Sequence, residues 1–282
     1  MIQFCLDWLH LTMPFNADKP LQMWMYPISG QPKAQHTSAR YGYAYGMANS
    51  VNAKVMVNPD KPDMGIHVSY SASTLRAYLE RGIESMTILR WHLGQGGKCS
   101  RIDLALDVFD SCLSIVALYE DLVQGRALTR VLNYTLLKAQ GDGTTLYVGS
   151  RSSEAMLRIY DKAKEQGVLD NWKRIELECK GDKANYVANT LAELPDEEIV
   201  KQAKRFIVGI VTFPNSCWSK MLRTEGTKIG VANKKQTDTA QWLLNVAAPS
   251  LGKYVGRTQD EHFLRQFLRQ VRVNRYGVQS ED

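Results

Sequence analysis

Two short stretches of this chain carry side chains that could act together on a phosphodiester: Arg158-Ile159-Tyr160-Asp161-Lys162 and Arg174-Ile175-Glu176-Leu177-Glu178-Cys179-Lys180. A third stretch of the same type, Arg101-Ile102-Asp103-Leu104-Ala105-Leu106-Asp107, precedes them. All three read as strands. Side chains alternate faces along a strand, so Arg158, Tyr160 and Lys162 share one face, Glu176 and Glu178 a second, and Asp103 and Asp107 a third. Were the three faces one, a tyrosine would stand among carboxylates. That is the equipment for a metal-assisted attack by a phenolic oxygen on a phosphodiester, which nicks DNA and leaves the protein covalently attached.

A free phenol has a pKa near 10, so at pH 7 about one in a thousand is ionised, and deprotonation costs roughly 4 kcal/mol unless the site helps. Lys162 can favour the phenolate or hold a phosphate, while a hard divalent cation, Mg2+ or Mn2+, held by carboxylates can polarise the scissile phosphate. Asp103 and Asp107 would lie about 13 Å apart on a straight strand, and Glu176 and Glu178 about 7 Å. The preferred metal set is therefore Asp103 with Glu176, with Glu178 as a third ligand or as a residue behind the ligands, and Asp107 as an orienting residue. Ordinary readings compete. Alternating Arg and Glu on a strand is often a solvated ladder of cross-strand ion pairs, and a strand tyrosine usually packs. Asp103 on an otherwise apolar strand is harder to dismiss, since a buried carboxylate needs a partner. Tyr134 and Tyr147 are rival nucleophiles, but Asp-Lys follows neither. The five histidines show no close metal-ligand spacing and read as structural, and the glycines at 94, 96 and 97 read as a plain turn.

The bulk properties set outer bounds. With 282 residues and 44% hydrophobic content the chain can bury a full core, as one large or two modest domains. A net charge of +6 favours an anionic partner. Five scattered cysteines without a Cys-x-x-Cys pair argue against a disulfide framework or a structural zinc site and favour a cytoplasmic setting. Neither an export signal nor a run long enough for a membrane anchor is expected.

The elements that must position these residues follow from pattern. Residues 4–13 read as a buried first strand ending at Pro14, 41–46 and 53–58 as a strand pair, and 65–70 as a strand feeding a helix from about Ser73 with Ser71 or Ser73 as its cap. The Asp103 strand leads to a helix over 112–124 closed by Gly125. Residues 144–149 and 155–162 form a hairpin, and 172–180 supplies the next strand. From residue 184 the periodicity is helical over 186–193 and 197–211, interrupted by Pro195, with a boundary at Pro214. A last helix over about 260–273 aligns Arg265, Arg269 and Arg272 as a basic stripe, with Arg275 beyond it.

The run 144–153, then Arg158-Ile159-Tyr160-Asp161-Lys162, then Trp172-Lys173-Arg174-Ile175-Glu176-Leu177-Glu178, resembles the replication initiation factor family of rolling-circle initiators. Leu6-Asp7-Trp8-Leu9, the strand before the first helix and the Asp103 strand extend the resemblance over about 4–215. It implies an α+β fold related to the HUH endonucleases: a central antiparallel sheet with helices packed on one face, and a metal and tyrosine on the other. It further implies a catalytic nicking domain over 1–213; the region over 214–282, mainly helical by its pattern, falls outside the resemblance and is a candidate DNA-binding segment through its basic stripe. Carried over, Tyr160 is the nucleophile that takes the 5′-phosphate at a replication origin, hairpin or single-stranded at the nick, and leaves a 3′-hydroxyl primer. The His-hydrophobic-His pair that names the wider superfamily is missing, which suits a carboxylate site. Arg151, Arg158 and Arg174, with the stripe of Arg265, Arg269 and Arg272, are the expected DNA contacts. The resemblance also implies a homodimer and a host helicase. Three alternatives remain: a non-catalytic DNA-binding regulator on the same scaffold, a conjugative relaxase, and a hydrolytic metal nuclease with no covalent step.

Overall fold

The structure is a computed structural model that describes residues 2–29, 34–110, 112–139, 143–224, 226, 248–258, 260 and 262–266. It divides into two units, Met1–Val231 and Ala232–Asp282. The first holds a large antiparallel sheet. Its strands in chain order are β1 (Ile2–Met13), β2 (Gln35–Thr37), β3 (Tyr45–Ala48), β4 (Lys54–Val57), β5 (Ile66–Tyr70) and β6 (Lys98–Val108). After a short strand β7 (Leu128–Thr129) come β8 (Tyr134–Ala139), β9 (Gly143–Val148), β10 (Ala155–Asp161) and β11 (Lys173–Lys180). The spatial order is β2-β3-β4-β5-β1-β6-β11-β10-β9-β8, while β12 (Val211–Thr212) pairs with β7 in a separate ribbon. The long strands β1, β6 and β11 lie side by side at the centre.

The chain alternates so that one face of these central strands is wholly apolar: Leu9, Leu11, Ile102, Leu104, Leu106, Ile159, Ile175 and Leu177 are fully buried. Helices α1 (Ala72–Leu79), α2 (Ser85–Gly94), α3 (Ile115–Val123) and α5 (Gly181–Ala192) pack on the sheet, α1 and α2 against β1, α3 against β8 and β9, and α5 against β6 and β11. Each caps as its sequence directs where a hydroxyl is present. Ser71 Oγ accepts from Thr74 N at the start of α1, and Ser114 Oγ accepts from Ala117 N at the start of α3. Between α3 and α5 comes the short α4 (Lys162–Glu165); α6 (Asp196–Ile210) follows Pro195, and α7 (Cys217–Met221) brings the fully buried Trp218 into the same core. In the second unit, α8 (Ala248–Thr258) precedes a helical stretch at 262–266.

The architecture is α+β, as the sequence implied, and two local expectations change. Residues 41–44 are not strand: Tyr41 and Gly42 take positive φ values of 57° and 84°, and β3 begins only at Tyr45. Lys162 leaves the strand, because Asp161 turns to cap α4 by accepting from Lys164 N. Two elements that sequence patterning did not bring out, α2 and β8, complete the helical layer and one edge of the sheet. Among the described residues no helix is long and apolar enough to cross a membrane.

Candidate active site

Strand register decides whether the three polar faces are one. Arg158 stands opposite Glu176 and Tyr160 opposite Arg174 on β10 and β11, while Glu178 stands opposite Asp103 and Arg174 opposite Asp107 on β11 and β6. Directly opposed residues of antiparallel strands project to the same side. Tyr160, Arg158, Glu176, Glu178, Asp103 and Asp107 therefore share the face turned away from the apolar core.

On that face the tyrosine hydroxyl donates to Glu176 Oε2 at 3.1 Å, and Arg158 donates to the other carboxylate oxygen at 2.6 Å. The Arg158 guanidinium also lies 4.7 Å from the Tyr160 ring centroid. Tyr160 is only 5% exposed. Burial first, then the Glu176 charge, hold its phenol above its ordinary pKa, so the resting side chain is neutral. Burial also raises Glu176, against the pull of Arg158 and with the charge of Asp7 adding to it. A carboxylate raised in this way is a better proton acceptor than a free one.

Asp103 and Glu178 belong to a second cluster. Arg101 grips Asp103 through two hydrogen bonds of 2.9 and 2.6 Å and reaches Glu178 at 2.7 Å, and Lys180 meets Glu178 at 2.5 Å. Burial pushes the Asp103 carboxyl up to about 7 even against Arg101, with Glu176 and Glu178 adding their repulsion. The expected metal ligands thus share a face, yet each is neutralised by a cation. Among the described residues no three His, Cys, Asp or Glu side chains are grouped to hold a metal ion. In this arrangement the predicted set does not form a metal cage.

Other predicted residues take different places. Lys162 is buried with its ammonium 5.6 Å from the Tyr160 ring, but that ammonium pairs with Glu165. Arg174 is corrected from a DNA contact to an internal one: at 3% exposure it is clamped by Asp107 through two 2.7 Å bonds and pairs with Asp7 as well. Trp172 Nε1 donates to the same Asp107 at 2.7 Å, so Asp107 does orient its neighbours. Arg151 is exposed, lies 5.6 Å from the Tyr147 ring, and accepts from Lys180 on its carbonyl. Arg265 is exposed on a helical stretch, whereas Arg269, Arg272 and Arg275 lie outside the described residues.

Asp7 is the residue that pattern reading missed as a site member. The β1–β6 register slips between Leu6 and Trp8, so Asp7 is the extra residue of a bulge. Strict alternation would put it on the parity of Leu9 and Leu11, in the core. Its chemical signal was the same as that of Asp103, an acid within an apolar strand.

Two cavities are lined by strand neighbours of Tyr160, though not by the tyrosine itself. One, of about 330 Å³, is lined by Tyr147, Met156, Glu176, Glu178 and the cations Arg101, Arg151, Arg158 and Lys180. The other, of about 320 Å³, is lined in part by Asp7, Asp107, Trp172 and Arg174. Four cations around the mouth of the first suit an anionic backbone, and Glu176 links it to the hydroxyl.

The family model described as replication initiation factor matches residues 97–268, which extends past residue 215 and begins after β5. Among curated proteins, the putative DNA relaxase NicK of Bacillus subtilis (strain 168) is 28% identical over 199 residues. That match covers 60% of this chain and 55% of the relative, so the chain spans about half the length of the curated protein it resembles. A solved structure of a rolling circle replication initiator protein from Geobacillus stearothermophilus superposes with a TM-score of 0.62 at 23% identity, covering 81% of this chain and 94% of that one. That likeness is one of fold.

Proposed function

The chain belongs to the replication initiation factor family, and from that premise we propose that it nicks and rejoins one strand of DNA at a replication origin through a covalent phosphotyrosine. The observation that carries the proposal is the Tyr160 hydroxyl bonded to a buried, proton-hungry Glu176 beside a cation-lined cavity. A phosphate entering that cavity competes with Glu176 for the Arg158 guanidinium, which draws Arg158 off the tyrosine and opens the hydroxyl. The phenolic oxygen then attacks phosphorus while its proton passes to Glu176. The bond from phosphorus to the 3′-oxygen breaks, and that oxygen takes a proton from solvent water, leaving a 5′-phosphotyrosine diester and a free 3′-hydroxyl. The diester keeps the energy of the broken bond, so the 3′-hydroxyl can attack it later and reseal the strand.

Arg151 and Arg158 neutralise phosphates in this proposal, and Lys162 packs against the nucleophile's ring as a positioning residue. Asp103, Glu176 and Glu178 would take Mg2+ or Mn2+, since an all-oxygen set suits a hard cation; loading it would require Arg101, Arg158 and Lys180 to release them. Such an ion would supply charge neutralisation at the scissile phosphate. Within the same chemistry, transfer of a conjugative element differs from replication only in the DNA that is cut, and the name of the Bacillus relative favours keeping both.

A second reading, a DNA-binding regulator that never cuts, is favoured by the full neutralisation of the three carboxylates. Incubation with supercoiled origin DNA and Mg2+ or Mn2+ separates the two. Wild type should give open circles with protein-capped 5′ ends, and Tyr160→Phe neither; a Tyr160→Phe protein that still nicks with a capped end would end the proposal.

A further inference from the structure

On the same sheet face, beyond Arg101, lies a cluster of rings that the chemistry above does not use. The geometry points to a docking site for an unpaired nucleobase of single-stranded DNA, built by Tyr41, Tyr43, Trp8, His10 and His67 and with Tyr41 as the stacking residue. It rests on the nicking proposal for its strand of DNA and extends it with a subsite.

Four observations carry the assignment. First, the rings form one contiguous group. His10 and His67 are 4.8 Å apart between centroids, Tyr41 lies 5.7 Å from His67 and 6.4 Å from His10, Tyr43 lies 5.7 Å from His67, and Trp8 lies 5.7 Å from His10. Second, Tyr41 is 68% exposed at a strained position. The turn at residues 40–43 closes with Tyr43 N donating to Arg40 O, and its two central residues both have positive φ. That turn type takes Gly, Asn or Asp, so a bulky aromatic residue in its first central position costs stability without gaining burial. Third, His67 is buried and its Nε2 has no hydrogen-bond partner among the described residues, an unmet polar atom that a base edge reaches once the rings beside it part. Burial holds both imidazoles neutral, His10 at about 3 and His67 at about 4, so they repel no cation and attract no phosphate.

The fourth is continuity. The Arg101 guanidinium lies 5.0 Å from the Trp8 ring centroid and pairs with Asp103 and Glu178. Cations for the backbone and rings for the bases therefore run without a break across the face, the combination that single-strand binding requires. From Glu176 on β11 to His67 on β5 is three strand steps, roughly 25 Å by strand spacing and rise. A short stretch of extended single strand covers that distance.

The test uses the whole protein, an oligothymidylate, and an oligomer of equal length whose bases are replaced by abasic sites. Wild type should bind the first about five- to a hundredfold more tightly. Tyr41→Phe should keep that preference. Tyr41→Asn should erase it while melting at the same temperature or higher, because asparagine suits the turn. If wild type shows no preference for bases, binds neither strand, or Tyr41→Asn discriminates as well as wild type, the subsite does not exist. Formation of the Tyr160 adduct on cleavable DNA is scored separately, so failure of the nicking proposal shows as a missing adduct whatever the oligothymidylate result.

Discussion

Replacing Glu176 by glutamine sets two effects of similar size against each other. The carboxylate accepts from the Tyr160 hydroxyl at 3.1 Å and its charge opposes ionisation of the phenol. Two unit charges about 4 Å apart interact by about 4 kcal/mol at an effective dielectric of 20. Glu176 is 3% exposed, so solvent screens little of this. Glu176→Gln should therefore let Tyr160 ionise at a distinctly lower pH, visible by NMR of labelled tyrosine rings. If the nucleophile were a phenolate formed beforehand, nicking would accelerate. If Glu176 takes the proton during attack, the variant loses a general base, a contribution of about 10²- to 10⁴-fold or roughly 3–5 kcal/mol of barrier. The second outcome is expected: single-turnover nicking of a single-stranded origin oligonucleotide falls at least a hundredfold while the phenol becomes more acidic. Repeating the measurement across a Mn2+ titration separates loss of the base from loss of a metal ligand, since only the latter is offset by more ion. A variant that nicks at or above the wild-type rate would refute the assignment of the proton to Glu176.

Other consequences follow from the same geometry. Arg101→Ala leaves the buried Asp103 carboxylate without its counter-charge and should destabilise the fold by about 3 kcal/mol; Mn2+ should raise the melting midpoint of this variant more than that of wild type, and equal shifts would remove these carboxylates from the metal proposal. Asp103 is raised from 3.8 to about 7 in the fold, so the folded state holds its proton more tightly than the unfolded chain. Its contribution is complete below about pH 4 and is lost as pH climbs to about 7, a change of about 4 kcal/mol. Thermal midpoints across that window should fall in wild type and flatten in Asp103→Asn; parallel curves would contradict the burial argument. Arg151→Gln should lower the slope of log affinity against log salt for single-stranded DNA by about 0.7, and an unchanged slope would take Arg151 out of the phosphate track.

Much of the site was legible because it rests on period two. Arg158, Tyr160, Glu176, Glu178, Asp103 and Asp107 could be assigned to faces from spacing alone, and the register of β10, β11 and β6 merges those faces. Pattern failed where the backbone leaves its period. The bulge at Asp7 reverses the parity of β1, carrying Leu6 and Leu9 to the core and Trp8 to the polar side, so a hidden acid became a site residue. Asp161 ends its strand as a helix cap, which takes Lys162 off the ladder. Arg174 looked like any basic residue of an alternating strand, and only the convergence of Asp7 and Asp107 from two other strands makes it internal. The pairing of His10 with His67 depends on β1 lying beside β5, a contact across 57 residues that neither local sequence announces.

Every step proposed for the DNA depends on Tyr160 forming the covalent bond. Tyr147 is the nearest rival, since it stands opposite Arg158 on the same face. Digesting the protein after reaction with single-stranded origin DNA and locating the nucleotide-bearing peptide by mass spectrometry tests the claim directly. Attack by Tyr160 should leave a 5′-phosphate on that residue and a free 3′-hydroxyl on the released fragment; a nucleotide on Tyr147, or a cut strand with no protein attached, would overturn the assignment.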